Sequence, residues 1–176
     1  MRRRTFLRAG LGGGLLLSLS YLLHRPLDRA GKDALVVAHP RADALGEVVA
    51  AVAPVLLAST FPVESAAREQ GQRDIVAAVA TAVAGLSAAS QREVDELFAL
   101  LAFAPTRRLV AGVGMPWAEA SAAEIGAFLE RWRHSPVDLL KSGYFALHDL
   151  ILGAWYAEPA RWAAIGYPGP PALERR

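Results

Sequence analysis

The chain has no cysteine among its 176 residues. That removes disulfides, thiolate metal ligands and thiol nucleophiles at once, along with the Cys-x-x-Cys-His attachment of a c-type haem. Histidine is scarce, at positions 24, 39, 134 and 148. Three of them have a single carboxylate four residues away, at Asp28, Asp43 and Glu130, but none has a second histidine at i+3 or i+4. One His–carboxylate pair falls short of the three protein ligands a metal site uses. His148 and Asp149 are neighbours in sequence, which points their side chains apart on a helix. His148 itself falls on a face with Tyr144, Leu152 and Trp155, the placing of a core or interface histidine. No Gly-x-Ser-x-Gly elbow occurs, and Gly112-Val113-Gly114 follows no strand pattern and precedes no lysine, so it is no phosphate loop. The expectation is a chain that is not an enzyme and holds neither metal nor cofactor.

A basic body is also missing. The net charge is +2, but Arg2, Arg3, Arg4 and Arg8 all fall in the first eight residues; without them 15 basic residues face 17 acidic ones. Nucleic-acid binding needs its positive charge on the folded part, so none is expected.

What the sequence does have begins at its start. Arg3-Arg4-x-Phe6-Leu7 sits in a charged opening, followed by the apolar, glycine-rich run Ala9-Gly10-Leu11-Gly12-Gly13-Gly14-Leu15-Leu16-Leu17. This is the form of an export signal, and Arg3, Arg4, Phe6 and Leu7 match the twin-arginine pattern, with Arg2 in place of the usual Ser/Thr and Arg8 in place of Lys. Four glycines between positions 10 and 14 cost about 1 kcal/mol each inside a helix, which disfavours an ordinary buried helix there. No Ala-x-Ala cleavage triplet follows; Ser18-Leu19-Ser20 is the nearest small-x-small. The stretch from Ala9 to Leu23 is 15 residues, roughly 22 Å as helix, against about 30 Å of bilayer core. Cleavage and retention as a short anchor both stay open. Residues 1–23 are thus a twin-arginine signal or short anchor, residues 24–40 a linker, residues 41–171 a helical domain and residues 172–176 a tail.

The body is 53% hydrophobic and 20% charged across the chain as a whole, enough to bury a core. Its apolar residues recur at three and four, with no sustained period-two alternation. A first helix is expected over Ala42 to Ser59, kinked or shortened at Pro54, and Phe61-Pro62 breaks the chain after it. A second is expected over Arg68 to Ala84. Ser90-Gln91-Arg92-Glu93 has the spacing of a capping box opening a third helix through Phe103, with Val94, Leu97, Phe98 and Leu101 inward. Pro105 to Pro116 reads as a loop. Ser121-Ala122-Ala123-Glu124 repeats the capping pattern and opens a helix to His134 with Ile125, Phe128, Leu129 and Trp132 as its stripe. Ser135-Pro136 then starts the longest helix, Val137 to Ala157, and Pro159 a further turn to Ile165. The fold class is all-α, a helical bundle of about five helices behind an N-terminal signal or anchor helix.

One segment stands out. Trp155, Tyr156, Trp162 and Tyr167 precede Pro168-Gly169-Pro170-Pro171, and half of the four tryptophans fall there. Tyr and Trp join large apolar area to a polar handle, which suits either folding the tail onto the bundle or docking a partner. The stretch Leu140 to Leu147 and the run Ala154-Trp155-Tyr156-Ala157-Glu158-Pro159-Ala160-Arg161-Trp162-Ala163-Ala164-Ile165-Gly166-Tyr167-Pro168-Gly169-Pro170 resemble the ending of the gluconate 2-dehydrogenase subunit 3 family. The resemblance implies a small periplasmic accessory subunit, exported through the twin-arginine translocase. It would escort and stabilise the large subunit of a flavin-dependent alcohol or sugar dehydrogenase, with FAD in that partner, often beside a multihaem cytochrome c subunit. Trp155, Tyr156, Trp162 and Tyr167 are then the docking residues. The alternative is a stand-alone helical binding protein, exported or tethered to the inner membrane.

Overall fold

Alanine and valine dominate the stretch after Pro40, spaced so that pairs recur every four residues, and this stretch forms the helix around which the others gather. The computed structural model describes residues 40–170; the export signal with Arg3, Arg4, Phe6 and Leu7, nearly all of the linker and the tail lie outside the described residues. Among the described residues the regular structure is all helical. Helix α1 spans Pro40–Leu56, α2 Ser65–Ala84, α3 Ala88–Ala102, α4 Ala122–Arg133 and α5 Asp138–Tyr156. A helical turn Ala104–Thr106 runs into a π-helical turn Arg107–Ala111 after α3, and a 3-10 segment Pro159–Ile165 follows α5.

Helix α1 touches all four others. It accordingly buries two faces' worth of side chain, with Val48, Val49, Val52 and Ala53 fully inaccessible, each valine contributing about 1.5–3 kcal/mol by leaving water. Pro54 does not end it. Proline has no N–H for the carbonyl of Ala50, one turn back, and Gln72 of α2 donates its amide to that carbonyl at 2.9 Å instead. The neighbouring helix answers that carbonyl, and α1 ends at Leu56, short of the Ser59 expected from the sequence.

Helix α2 presents Ile75, Val79 and Val83 inward at strict four-residue spacing. At 20 residues it exceeds α5 at 19, so the longest helix is α2. Its first turn, Ser65 to Ala67, lies ahead of the start expected at Arg68. For α3 the expected capping box at Ser90 is replaced by Ser87, whose Oγ accepts the Ser90 N–H at 3.2 Å. Two serines three apart satisfy the same spacing, and the earlier one takes the cap. The inward residues are as expected: Val94, Phe98 and Leu101 are buried and Leu97 packs against them.

Helix α4 carries the expected capping box. Ser121 Oγ accepts the Glu124 N–H at 3.2 Å, and the Glu124 carboxylate accepts from the Ser121 N–H at 3.0 Å and its hydroxyl at 2.8 Å. These bonds, the backbone one first, hold the Glu124 carboxyl below the usual glutamate range. Ile125, Phe128, Leu129 and Trp132 are all buried. Ser135 does not cap α5 directly; its Oγ accepts the Val137 N–H at 3.1 Å, closing a turn that delivers the chain to Asp138.

The segment expected as a loop after Pro105 is partly helical and tightly held. Thr106 Oγ1 bonds back to the Leu100 carbonyl, Trp117 Nε1 donates to Leu101 at 2.9 Å, and Trp132 Nε1 donates to Val110 at 3.1 Å. Arg131 donates to Ala111, where Gly112 at φ +67 turns the chain left-handed. Trp117, Phe128 and Trp132 meet edge to face at 5.7 and 4.8 Å, making this segment the lid of the aromatic core.

Candidate partner-docking site

An α-helix ends with carbonyls that have no N–H ahead of them. At the end of α5 these are answered by side chains that come back from six residues on. Trp162 Nε1 donates to the Tyr156 carbonyl at 2.7 Å, and Arg161 donates to the Trp155 carbonyl at 3.4 Å. Pro159 opens the 3-10 segment that makes this return possible. Its fixed φ suits a first helical position, and it cannot continue α5.

The segment then terminates itself. Gly166 sits at φ +70, its N–H bonding the Ala163 carbonyl at 3.1 Å, while the Tyr167 N–H bonds the Trp162 carbonyl at 3.1 Å. That pair of bonds around a left-handed glycine is a Schellman cap, and the apolar contact that accompanies such caps is present between Trp162 and Tyr167, whose rings lie 5.3 Å apart. The run Trp162-Ala163-Ala164-Ile165-Gly166-Tyr167 is therefore a complete structural unit, written locally.

The four expected docking residues divide. Trp155 is 4% exposed, stacked 5.1 Å from Phe61. Tyr156 is half-buried, its hydroxyl 3.1 Å from Thr60 Oγ1. Both tie α5 to the turn after α1. Trp162 is half-buried and Tyr167 is 45% exposed, and beside them Ile165 is 50% exposed. These three form the solvent-facing side of the segment.

A groove of about 410 Å³ opens alongside, lined by Thr60, Pro62, Gly71, Asp74, Trp155 and Arg161. The Arg161 guanidinium lies 3.5 Å over the Trp155 ring, a cation–π stack worth about 1 kcal/mol. Its 3.9 Å approach to the half-exposed Asp74 adds little. Arg161 was not singled out from the sequence; the signal for it, an arginine beside the second tryptophan of the run, lacks helical periodicity. The stack covers the Trp155 ring and sets a cation and a carboxylate at one rim of the groove.

The histidines stand apart. His148 packs beside Tyr144, ring centroids 5.7 Å apart, and contrary to the sequence expectation it meets Asp149, Nδ1 to Oδ1 at 2.9 Å. The short carboxylate curls back along the exposed side of the helix, which side-chain direction alone did not foretell. His134 Nε2 meets Glu130 at 3.1 Å. Among the described residues no group of three or more His, Asp or Glu could hold a metal ion, and no helix is long and apolar enough to cross a membrane. Compared with known protein families, with curated proteins and with solved structures, the chain matches none.

Proposed function

We propose that this chain is the non-catalytic small subunit of an exported oxidoreductase complex. It carries the large subunit of a flavin-dependent alcohol or sugar dehydrogenase, folded around its FAD, through the twin-arginine translocase and stays with it in the periplasm. A flavoprotein folds around its cofactor before export, and the twin-arginine route moves folded cargo, so a leader on one subunit serves both. A cytochrome c subunit completes the complex in this reading, and the leader meets the inner membrane either in transit or as an anchor.

The observation that supports it is the joining of two features in one short chain. Arg3-Arg4-x-Phe6-Leu7 opens the sequence, and the aromatic run at the other end is built as a rigid hook with Trp162, Ile165 and Tyr167 on its outside. Preformed aromatic surface costs little entropy when a partner covers it. Arg3→Lys together with Arg4→Lys is expected to strand both subunits in the cytoplasm, read by fractionation and by dehydrogenase activity in the periplasm. Normal arrival of the dehydrogenase in the periplasm of that variant overturns the escort role. Recovery of the wild-type chain alone from the envelope favours the stand-alone binding protein instead.

A further inference from the structure

Arg107 opens the π-helical turn Arg107–Ala111 and is 7% exposed. Its Nε is buried and makes no hydrogen bond. Among the described residues no carboxylate pairs with its guanidinium. A guanidinium keeps its charge at any physiological pH and carries five donors in a planar fork, so burying it without an anion is costly. On the adjoining α4, Glu124 is engaged by Ser121, and Glu130 by Arg133 and His134, so neither is spare for it.

The segment that carries this cation is already shaped. Arg108 Nε donates to the Gly114 carbonyl at 3.1 Å, and Arg131 of α4 donates to the Ala111 carbonyl, so two further arginines bind the backbone of this segment. Three large apolar side chains of that segment face water: Phe103 at 51%, Leu109 at 85% and Met115 at 46% exposure. Aromatic residues, methionine and arginine are the types enriched at protein interfaces, and π-helical turns recur at functional sites. The backbone beneath is pinned by Trp117 and Trp132, so little ordering is needed when something docks.

We propose that Phe103 to Met115 is a receptor for an acidic, apolar-flanked segment of a partner protein. A partner carboxylate inserts onto Arg107, and the apolar side chains beside it cover Phe103, Leu109 and Met115. The planar fork matches a carboxylate held by two bonds. A cation sunk this far is reached by one projecting side chain. It is poorly placed for a lipid headgroup, which meets exposed charge, and a body with 15 basic and 17 acidic residues beyond its first eight gains little long-range pull toward an anionic bilayer. This inference does not rest on the partner being a flavoprotein.

The test follows the Arg107 Nε–H resonance in the ¹⁵N-labelled full chain, assigned by its loss in Arg107→Lys. The probes are a twelve-residue peptide alternating glutamate with leucine and phenylalanine, the same peptide with glutamine for glutamate, and phosphatidylglycerol vesicles. The glutamate peptide is expected to shift the resonance saturably. The glutamine peptide is expected to bind about ten-fold or more weakly. Leu109→Ser and Phe103→Ser, which change exposed side chains and leave the core alone, are expected to weaken the glutamate peptide while preserving the unbound spectrum. A resonance unmoved by the glutamate peptide, moved equally by its glutamine counterpart, or moved by vesicles and not by peptide, overturns the proposal.

Discussion

Two segments of the body depart from the α-helix, and they are held in opposite ways. The C-terminal hook from Ala157 to Pro170 is built chiefly from its own neighbours. Its Schellman cap, the Trp162 bond to Tyr156, the Arg161 bond to Trp155 and the Trp162–Tyr167 contact all span six residues or fewer. The segment from Phe103 to Trp117 is pinned largely from afar. Trp117 reaches back 16 residues to Leu101, and Arg131 and Trp132 reach back 20 and 22 to Ala111 and Val110. One segment is a local motif that the bundle carries; the other exists because the bundle closes over it.

That contrast predicts where damage spreads. Trp117→Ala is expected to produce the largest loss. It empties a fully buried indole site, costing about 3–5 kcal/mol, and leaves the Leu101 carbonyl without its donor. Chemical denaturation should show the whole body unfolding earlier, and Trp117→Phe should recover much of the loss. A fall under about 1 kcal/mol would mean that the segment is not bound into the core as described.

The two left-handed glycines sharpen the comparison. Gly112 and Gly166 have nearly equal φ, +67 and +70, but an added Cβ lies 2.5 Å from Arg131 Nη2 at the first and meets nothing within 4 Å at the second. Gly112→Ala is expected to cost about 1–3 kcal/mol of global stability, less in an Arg131→Ala background, since the two changes share one clash. Gly166→Ala is expected to cost about 1 kcal/mol and to show mainly as faster amide exchange within the hook. Equal effects on global unfolding would erase the distinction.

The smallest effect concerns another locally written feature, the capping box of α4. Because Ser121 lowers the Glu124 pKa in the folded chain, the stabilisation it gives is complete above about pH 5 and shrinks as pH falls through the glutamate range. Glu124→Gln should therefore flatten the acid side of the stability profile and leave the slope near neutrality unchanged.

Legibility in the sequence follows the same division. The stripes of α2, α3 and α4 and the cap at Ser121 were readable because each is set by residues three or four apart. Pro159 and Gly166 marked the hook for the same reason. Helix α1 ends at Leu56, short of the expected Ser59 and two residues after Pro54, but the bond from Gln72 to Ala50 was not readable because Gln72 lies on another helix. Ser90 was taken as the cap of α3 because Ser87 offers the same spacing one turn earlier. The Pro105 to Pro116 segment read as a loop since its partners come from α3 and α4. Arg107 left no signal at all: an arginine between Thr106 and Arg108 looks like a surface residue until burial is known. Within the docking quartet, sequence grouped four aromatics that the fold separates into two anchors and two surface residues.

The absence of thiols rules out the usual site-specific dyes, but the indoles replace them. Trp117 and Trp132 report the closure over α3 and α4. Trp155 is shielded by the guanidinium lying 3.5 Å above its ring. Swinging the hook away would strip that cover, so the chain carries a built-in optical gauge of whether its C-terminus is latched, readable apart from the unfolding of the bundle.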